Sequence, residues 1–151
     1  MNLAHLMLTG HILSVVAWVG GAIMMQVLAA RARAASPEKL YDFAKDAAWL
    51  GNRFFMPASV LTLAFGLATA TTELHTFGLL WIKLGLLGWF LTALNGGAVL
   101  GRLSRKMKNL GEQHGPTDAN VQAASRKLLA AMNIDLVIVI LVIADMVFKP
   151  T

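Results

Sequence analysis

The sequence predicts an all-α protein, a bundle of four transmembrane helices, and three observations predict it. Four segments, at roughly 4–30, 49–71, 78–100 and 128–148, are long and apolar enough to span a hydrocarbon core, which takes about 20 residues of helix. Hydrophobic residues make up 57% of the chain and charged residues only 14%, where a soluble domain carries about 25% charged. Eleven of the thirteen Lys and Arg residues fall in or beside two of the connecting loops. The 151 residues read as one domain, 1–151, a length that suits a single compact unit.

The first segment opens Met1-Asn2-Leu3-Ala4 without a basic stretch and is longer than a signal-peptide core, so it reads as a retained helix. Gly10, Ser14, Ala17 and Gly21 form a small-residue stripe on it, and such a stripe lets another helix come close. His11 and Trp18 lie beside that stripe, seven residues apart and hence on one face.

The second segment is preceded by Ser36-Pro37-Glu38, a good helix start: Ser caps, Pro suits the first position, and an acid sits near the positive end of the dipole. A helix from 37 to 71 would be on the order of 50 Å long, so this helix extends past the membrane into the cytoplasm. Asn52, Ser59, Thr62, Gly66, Thr69 and Glu73 give it a polar stripe. Pro57 removes the bond to the Arg53 carbonyl, so the backbone should deform there.

The third segment carries Gly85, Gly88, Thr92 and Gly96 along a close-packing face. Gly111 to Pro116 reads as a flexible tip, and Pro116-Thr117-Asp118 as the cytoplasmic start of the fourth helix. That helix has a sparse inward stripe of Asp135, Ile138, Val142 and Asp145.

Charge sets the expected orientation. Arg31, Arg33, Lys39, Lys45 and Arg53 cluster at 31–53, and Arg102, Arg105, Lys106, Lys108, Arg126 and Lys127 at 101–127. The loop Thr71-Thr72-Glu73-Leu74-His75-Thr76 has no Lys or Arg. Basic loops stay in the cytoplasm, which places both termini and the short loop outside. The same distribution accounts for a net charge of +5 and a pI near 10. The expected partner of these charges is therefore the lipid bilayer with its anionic head groups, not nucleic acid. A bacterial inner membrane, crossed several times, is the expected location. The chain has no Cys, which excludes disulfides, thiolate metal sites and Cys nucleophiles.

Ionisable residues at bilayer depth cost several kcal/mol and are functional candidates by default. His11, Lys83 and Asp145 fall in the outer half, and Arg53, Asn95, Asn133 and Asp135 in the inner half. His11 has two readings. It can be a haem ligand, with Trp18 and the glycines making room for a flat ring, or a packed histidine bonding a neighbouring helix. His5 lies on another face, His75 in the outer loop could reach a site there, and His114 is a solvated loop residue. Lys83 could pair with Asp145 or snorkel to the outer interface. Asp135, with Arg53, Asn133 or Asn95 as partner, reads as a polar clamp or as a proton-relay carboxylate. Met24-Met25 and the other methionines show no ordered copper-ligand spacing and read as gap-fillers.

Taken together these motifs are similar to a known group. His11-Ile-Leu-Ser-Val-Val-Ala-Trp18-Val-Gly20 resembles the first-helix histidine motif of the HemJ type of protoporphyrinogen oxidase. Asn52-Arg53-Phe-Phe-Met-Pro57-Ala58 with Leu61-Thr62-Leu63-Ala-Phe65-Gly66 resembles its second helix, and Trp81-Ile82-Lys83-Leu84 the opening of its third. Gly101-Arg102 through Lys106 resembles its basic loop, and Asn133 with Lys149-Pro150 its fourth helix. Leu94-Asn95 stands where that family carries Tyr-His, and Asn133-Ile134-Asp135 where it carries Asn-Glu. A first-helix His with a Trp seven residues on also occurs in CopD-like copper-resistance proteins.

The resemblance implies haem b held by His11 as metal ligand, with Lys83 needed nearby. Trp18, Arg53 and Trp81 are the further cofactor-site candidates, and Asp135 and Asp145, ionisable residues at bilayer depth, the further catalytic candidates. The implied activity is porphyrinogen oxidation or electron transfer, with a quinone or respiratory-chain acceptor. Two other classes stay open: a non-catalytic subunit that docks a homo-oligomeric or membrane-complex partner through its glycine faces, and a CopD-like metal or small-solute transporter.

Overall fold

Four rods of helix, each returning alongside the one before, make up the computed structural model, which describes residues 2–71 and 79–150. The first rod is α1 (Leu3–Ala35). The second runs through α2 (Pro37–Leu50), a π-wound turn Gly51–Phe55 and α3 (Met56–Thr69). The third runs through α4 (Leu80–Leu94), a π-wound turn Asn95–Leu100 and α5 (Gly101–His114). The fourth is α6 (Ala119–Phe148). Three of the helices, Leu3–Ala35, Leu80–His114 and Ala119–Phe148, are long and apolar enough to cross a membrane. At most 22% of each one's most apolar stretch is buried inside the protein. The outward faces are therefore rows of Leu, Ile and Val such as Leu13, Val16, Leu87 and Leu141, and surface of this kind suits lipid better than water.

Local chemistry sets the breaks. Asn2 starts α1 by accepting from the Ala4 amide at 3.2 Å. Ser36 is extended, accepts from the Lys39 amide at 3.3 Å and precedes Pro37 at the head of α2, as its sequence leads one to expect. Hydrogen bonds from the Ser36 side chain and from its own amide hold the Glu38 carboxyl below its usual range. Pro57 cannot donate an amide proton, and the helix before it widens so that the Met56 amide reaches Gly51. The second π turn contains Gly96 and Gly97, whose weak helix propensity lets the winding change cheaply.

The fourth helix starts where Pro116-Thr117-Asp118 led one to expect: Asp118 caps it, accepting from the Asn120 amide at 2.8 Å. The tip, however, is shorter than expected. Gly111 to His114 remain helical, and only Gly115 to Asp118 turn the chain, Gly115 with a φ of +85°. Gly111 is held because the Tyr41 ring lies directly against it and leaves no room for a Cβ.

Antiparallel pairing follows from a ladder of contacts. Between the first two rods His11 meets Thr62 and Gly66, Gly21 meets Phe54, and Ala29 packs with Leu40. Between the last two, Gly85 meets Met146, Gly88 meets Val142, and Asn95 meets Ala131. The glycines at 10, 21, 85 and 88 are thus seams within the chain.

The two ends of the bundle pack differently. Toward the basic end a dense core of Tyr41, Ala44, Met107, Val121, Ala124 and Leu128 ties α2, α5 and α6 together. Gln122 adds bonds to the Pro37 and Pro116 carbonyls at 2.9 and 2.7 Å. Midway, Trp18, Ala58 and Val139 with Trp89 join all four rods. Beyond that layer α3 and α4 scarcely touch, and the two hairpins part around a cavity.

Gly88→Leu drives a side chain into Val142, so it should destabilise the fold by about 1–3 kcal/mol. Gly97→Ala enters open space and should be neutral or slightly stabilising. Thermal denaturation of the two variants in detergent, against the parent, reads the difference.

Candidate functional site

The cavity between the hairpins holds about 470 Å³ and is lined from α1, α3, α4 and α6. Ile12, Val16, Leu67 and Leu86 line it and are also exposed, so it opens sideways through the apolar flank. Trp18, Trp81 and Trp89 supply flat walls, and Gly66, Gly85 and Gly88 keep parts of α3 and α4 thin.

Its hydroxyl and indole groups are largely bonded to backbone carbonyls. Thr62 donates to Ala58 O, Thr69 to Phe65 O and Thr92 to Trp89 O, each at 2.8 Å. Trp89 Nε1 donates to Ser59 O at 3.0 Å, linking α4 to α3. His11 differs in what it leaves over. Its Nδ1 lies 2.9 Å from Thr62 O. A carbonyl can only accept, so Nδ1 carries the proton, and in the neutral ring Nε2 keeps its lone pair. Gly66 makes this seat possible: a Cβ there would lie 3.0 Å from both Cε1 and Nδ1 of the imidazole. The arrangement offers one basic nitrogen in an apolar chamber.

At the end of the cavity away from the Trp18 layer, Lys149 Nζ sits over the Trp81 ring, 5.5 Å from its centre. Lys149 adopts the left-handed conformation, φ 46°, that ends α6. This places a cation at one wall of the cavity, a contact that the sequence reading did not anticipate.

Of the candidate ligand, cofactor and catalytic residues, His11, Trp18 and Trp81 come together around the cavity, and Arg53, Lys83, Asp135 and Asp145 do not line it. Arg53 is exposed on the first π turn, its guanidinium 5.9 Å from the Trp49 ring centre. Lys83 is exposed and forms no ion pair with Asp145, because it projects from the side of α4 opposite Gly85 and Gly88. Asp145 lies between α4 and α6, with Oδ2 facing Gly85; both its oxygens are buried, with no hydrogen-bond partner among the described residues. Asp135 accepts from Asn95 Nδ2 at 3.2 Å while the same amide donates to Ala131 O at 3.0 Å. Asn95 is therefore the partner among the three considered, and Asn133 is exposed. Glu73 and His75 lie outside the described residues. Among the described residues no group of three or more His, Asp or Glu could hold a bare metal ion.

Sequence reasoning missed Trp89 and the pairing of His11 with Thr62. The signal was present as Thr62 and Gly66, one turn apart on the face of α3 that carries the polar stripe. Comparison with known protein families, curated proteins and solved structures finds no match for this chain.

Replacing Asn95 by Leu leaves the Asp135 carboxylate without its donor and should destabilise by about 1–3 kcal/mol. Adding Asp135→Leu should restore part of that loss, because both polar partners are then gone. Chemical denaturation of the parent, both single variants and the double variant measures the coupling.

Proposed function

We propose that this chain crosses the membrane four times, with both termini outside, and binds haem b through His11 as an electron-transfer protein. The observation that carries the reading is the Nε2 of His11, which has no hydrogen-bond partner among the described residues and belongs to the lining of the apolar cavity. Haem iron brings four ring nitrogens of its own, so one or two axial side chains suffice. The lack of a three-residue metal cluster is therefore no obstacle. The volume suits a cofactor-sized ligand, for which pockets run roughly 300–1,000 Å³. The donor set also fits, since a neutral imidazole whose other nitrogen bonds a carbonyl is the usual form of a histidine ligand.

In this reading haem would supply one-electron chemistry inside the bilayer. The chain's own residues do the rest. The Thr62 carbonyl fixes the His11 tautomer and ring orientation. Gly66 leaves space for the ring, and Trp18 with Trp89 closes the inner end against water. Lys149, over Trp81, offers a cation to acidic groups of the ligand. Porphyrinogen oxidation with delivery of electrons to a membrane quinone is the narrower activity that the resemblance to HemJ suggests.

A second reading, a subunit of a larger membrane complex, is favoured by Gly20, Gly96 and Gly97. They are exposed with nothing within 4 Å of a built Cβ, which would let a foreign helix approach closely. The transporter reading gains no comparable support, because neither Asp135 nor Asp145 lines the cavity.

The purified protein should show a Soret band and, on reduction, a b-type alpha band. Both should be lost in His11→Ala and weakened in Gly66→Val, which crowds the imidazole. A colourless protein from haem-replete cells would sink the haem assignment, and partners co-purifying with that colourless protein would favour the subunit reading.

The absence of Cys makes topology directly readable. A Cys at Asn2 should react with a membrane-impermeant maleimide in intact cells, and one at Gln113 only after permeabilisation. The reverse pattern would invert the orientation.

A further inference from the structure

A second cavity, about 340 Å³, opens between α5 and α6 at the basic end of the bundle. Lys106 from α5 and Lys127 from α6 line it, with Asn120 beside them and Leu103, Leu110 and Ala123 as an apolar floor. Among the described residues the ion pairs are Lys45 with Asp42 and Lys108 with Glu112. Lys106 and Lys127 belong to neither, and no carboxylate lines the cavity. Two lysines and an asparagine thus line one recess that has no carboxylate in its lining.

What lies beside the recess identifies the anion. Ile134 is seven residues after Lys127 in α6 and so two turns along on the same helix face, and Val99 is seven residues before Lys106 along the third rod. Both are exposed, as is Leu141 a further two turns along α6. The two helices run antiparallel, so Val99 and Ile134 lie on the same side of the recess, about 10 Å toward the apolar centre. A charged recess thus leads into an apolar track, which matches a phosphate head group with acyl chains better than a free phosphate or a nucleic-acid backbone.

We propose that this recess is a binding site for one anionic phospholipid, its phosphate held by Lys106, Lys127 and Asn120 and its chains lying over Val99 and Ile134. Basic pockets between membrane helices on the cytoplasmic side are suited to such head groups. The site rests on the membrane reading of the chain and is independent of haem. The maleimide experiment tests membrane insertion separately, so failure of the lipid site and failure of that reading are distinguishable.

The test is native mass spectrometry of the full-length protein from mixed micelles containing phosphatidylglycerol and phosphatidylcholine. The parent should retain phosphatidylglycerol selectively. The variant K106Q/K127Q should lose that retention by on the order of tenfold. A control that removes the same charge elsewhere, R33Q/K39Q, should keep it, and K106R/K127R should largely keep it. Equal loss in both charge-removal variants would overturn the site in favour of a diffuse basic surface. Displacement of the lipid by millimolar inorganic phosphate, or binding of phosphate without lipid preference, would overturn the lipid assignment.

Discussion

In an apolar surrounding a polar side chain has little to bond except the carbonyls of its own and neighbouring helices, and that constraint organises the structure. Ser14 bonds Gly10 O, Thr62 bonds Ala58 O, Ser125 bonds Val121 O, and Trp89 reaches across to Ser59 O. Asn95 splits its amide between the Ala131 carbonyl and the Asp135 carboxylate. The Trp89 and Asn95 bonds cross between helices and fix their rotation, because a donor turned away would be left unpaired at a cost of several kcal/mol; the Ser14, Thr62 and Ser125 bonds stay within their own helices. Against this background His11 stands out. It satisfies the constraint with Nδ1 and still has a nitrogen to offer.

The division of the bundle into a dense end and an open end has a simple origin. At the basic end small residues such as Ala44 and Ala124 pack with the larger Met107 and Leu128 in a close-packed core. Past the Trp18 layer the inward positions of α3 and α4 are Gly66, Gly85 and Gly88 with their neighbours. These glycines draw α1 onto α3 and α6 onto α4, and each hairpin closes on itself. Little side-chain volume is left to bridge between the hairpins, so they enclose a chamber instead of a core. The two π turns, Gly51–Phe55 and Asn95–Leu100, lie on the dense side of that layer. There they change the winding between α2 and α3 and between α4 and α5.

Much of this was legible from residue spacing. The four rods, the Ser36 cap, the disturbance before Pro57 and the inward faces at Gly10, Gly21, Gly85 and Gly88 all follow from local chemistry or from a period of 3.6. The shared face of His11 and Trp18 was legible for the same reason. What was not legible depends on two chains meeting. Spacing within α4 shows that Lys83 and Gly85 diverge, yet it cannot say whether a flexible Lys side chain bends back toward Asp145; the packed structure leaves it outside. Likewise Asn95, Asn133 and Arg53 were equivalent partners for Asp135 until the register of α4 on α6 selected Asn95. The extent of α5 through Gly111 was misread because a glycine suggests a turn. Here it answers the approach of the Tyr41 ring.

The proposed haem ligation depends on the tautomer of His11, since an imidazole protonated at Nδ1 leaves Nε2 free. Nitrogen-15 NMR of histidine-labelled protein in detergent, assigned with His11→Gln, measures it directly. The account predicts that the His11 ring is protonated at Nδ1, with an unprotonated Nε2 whose resonance broadens beyond detection when haemin is added. A ring protonated at Nε2 and untouched by haemin would contradict it.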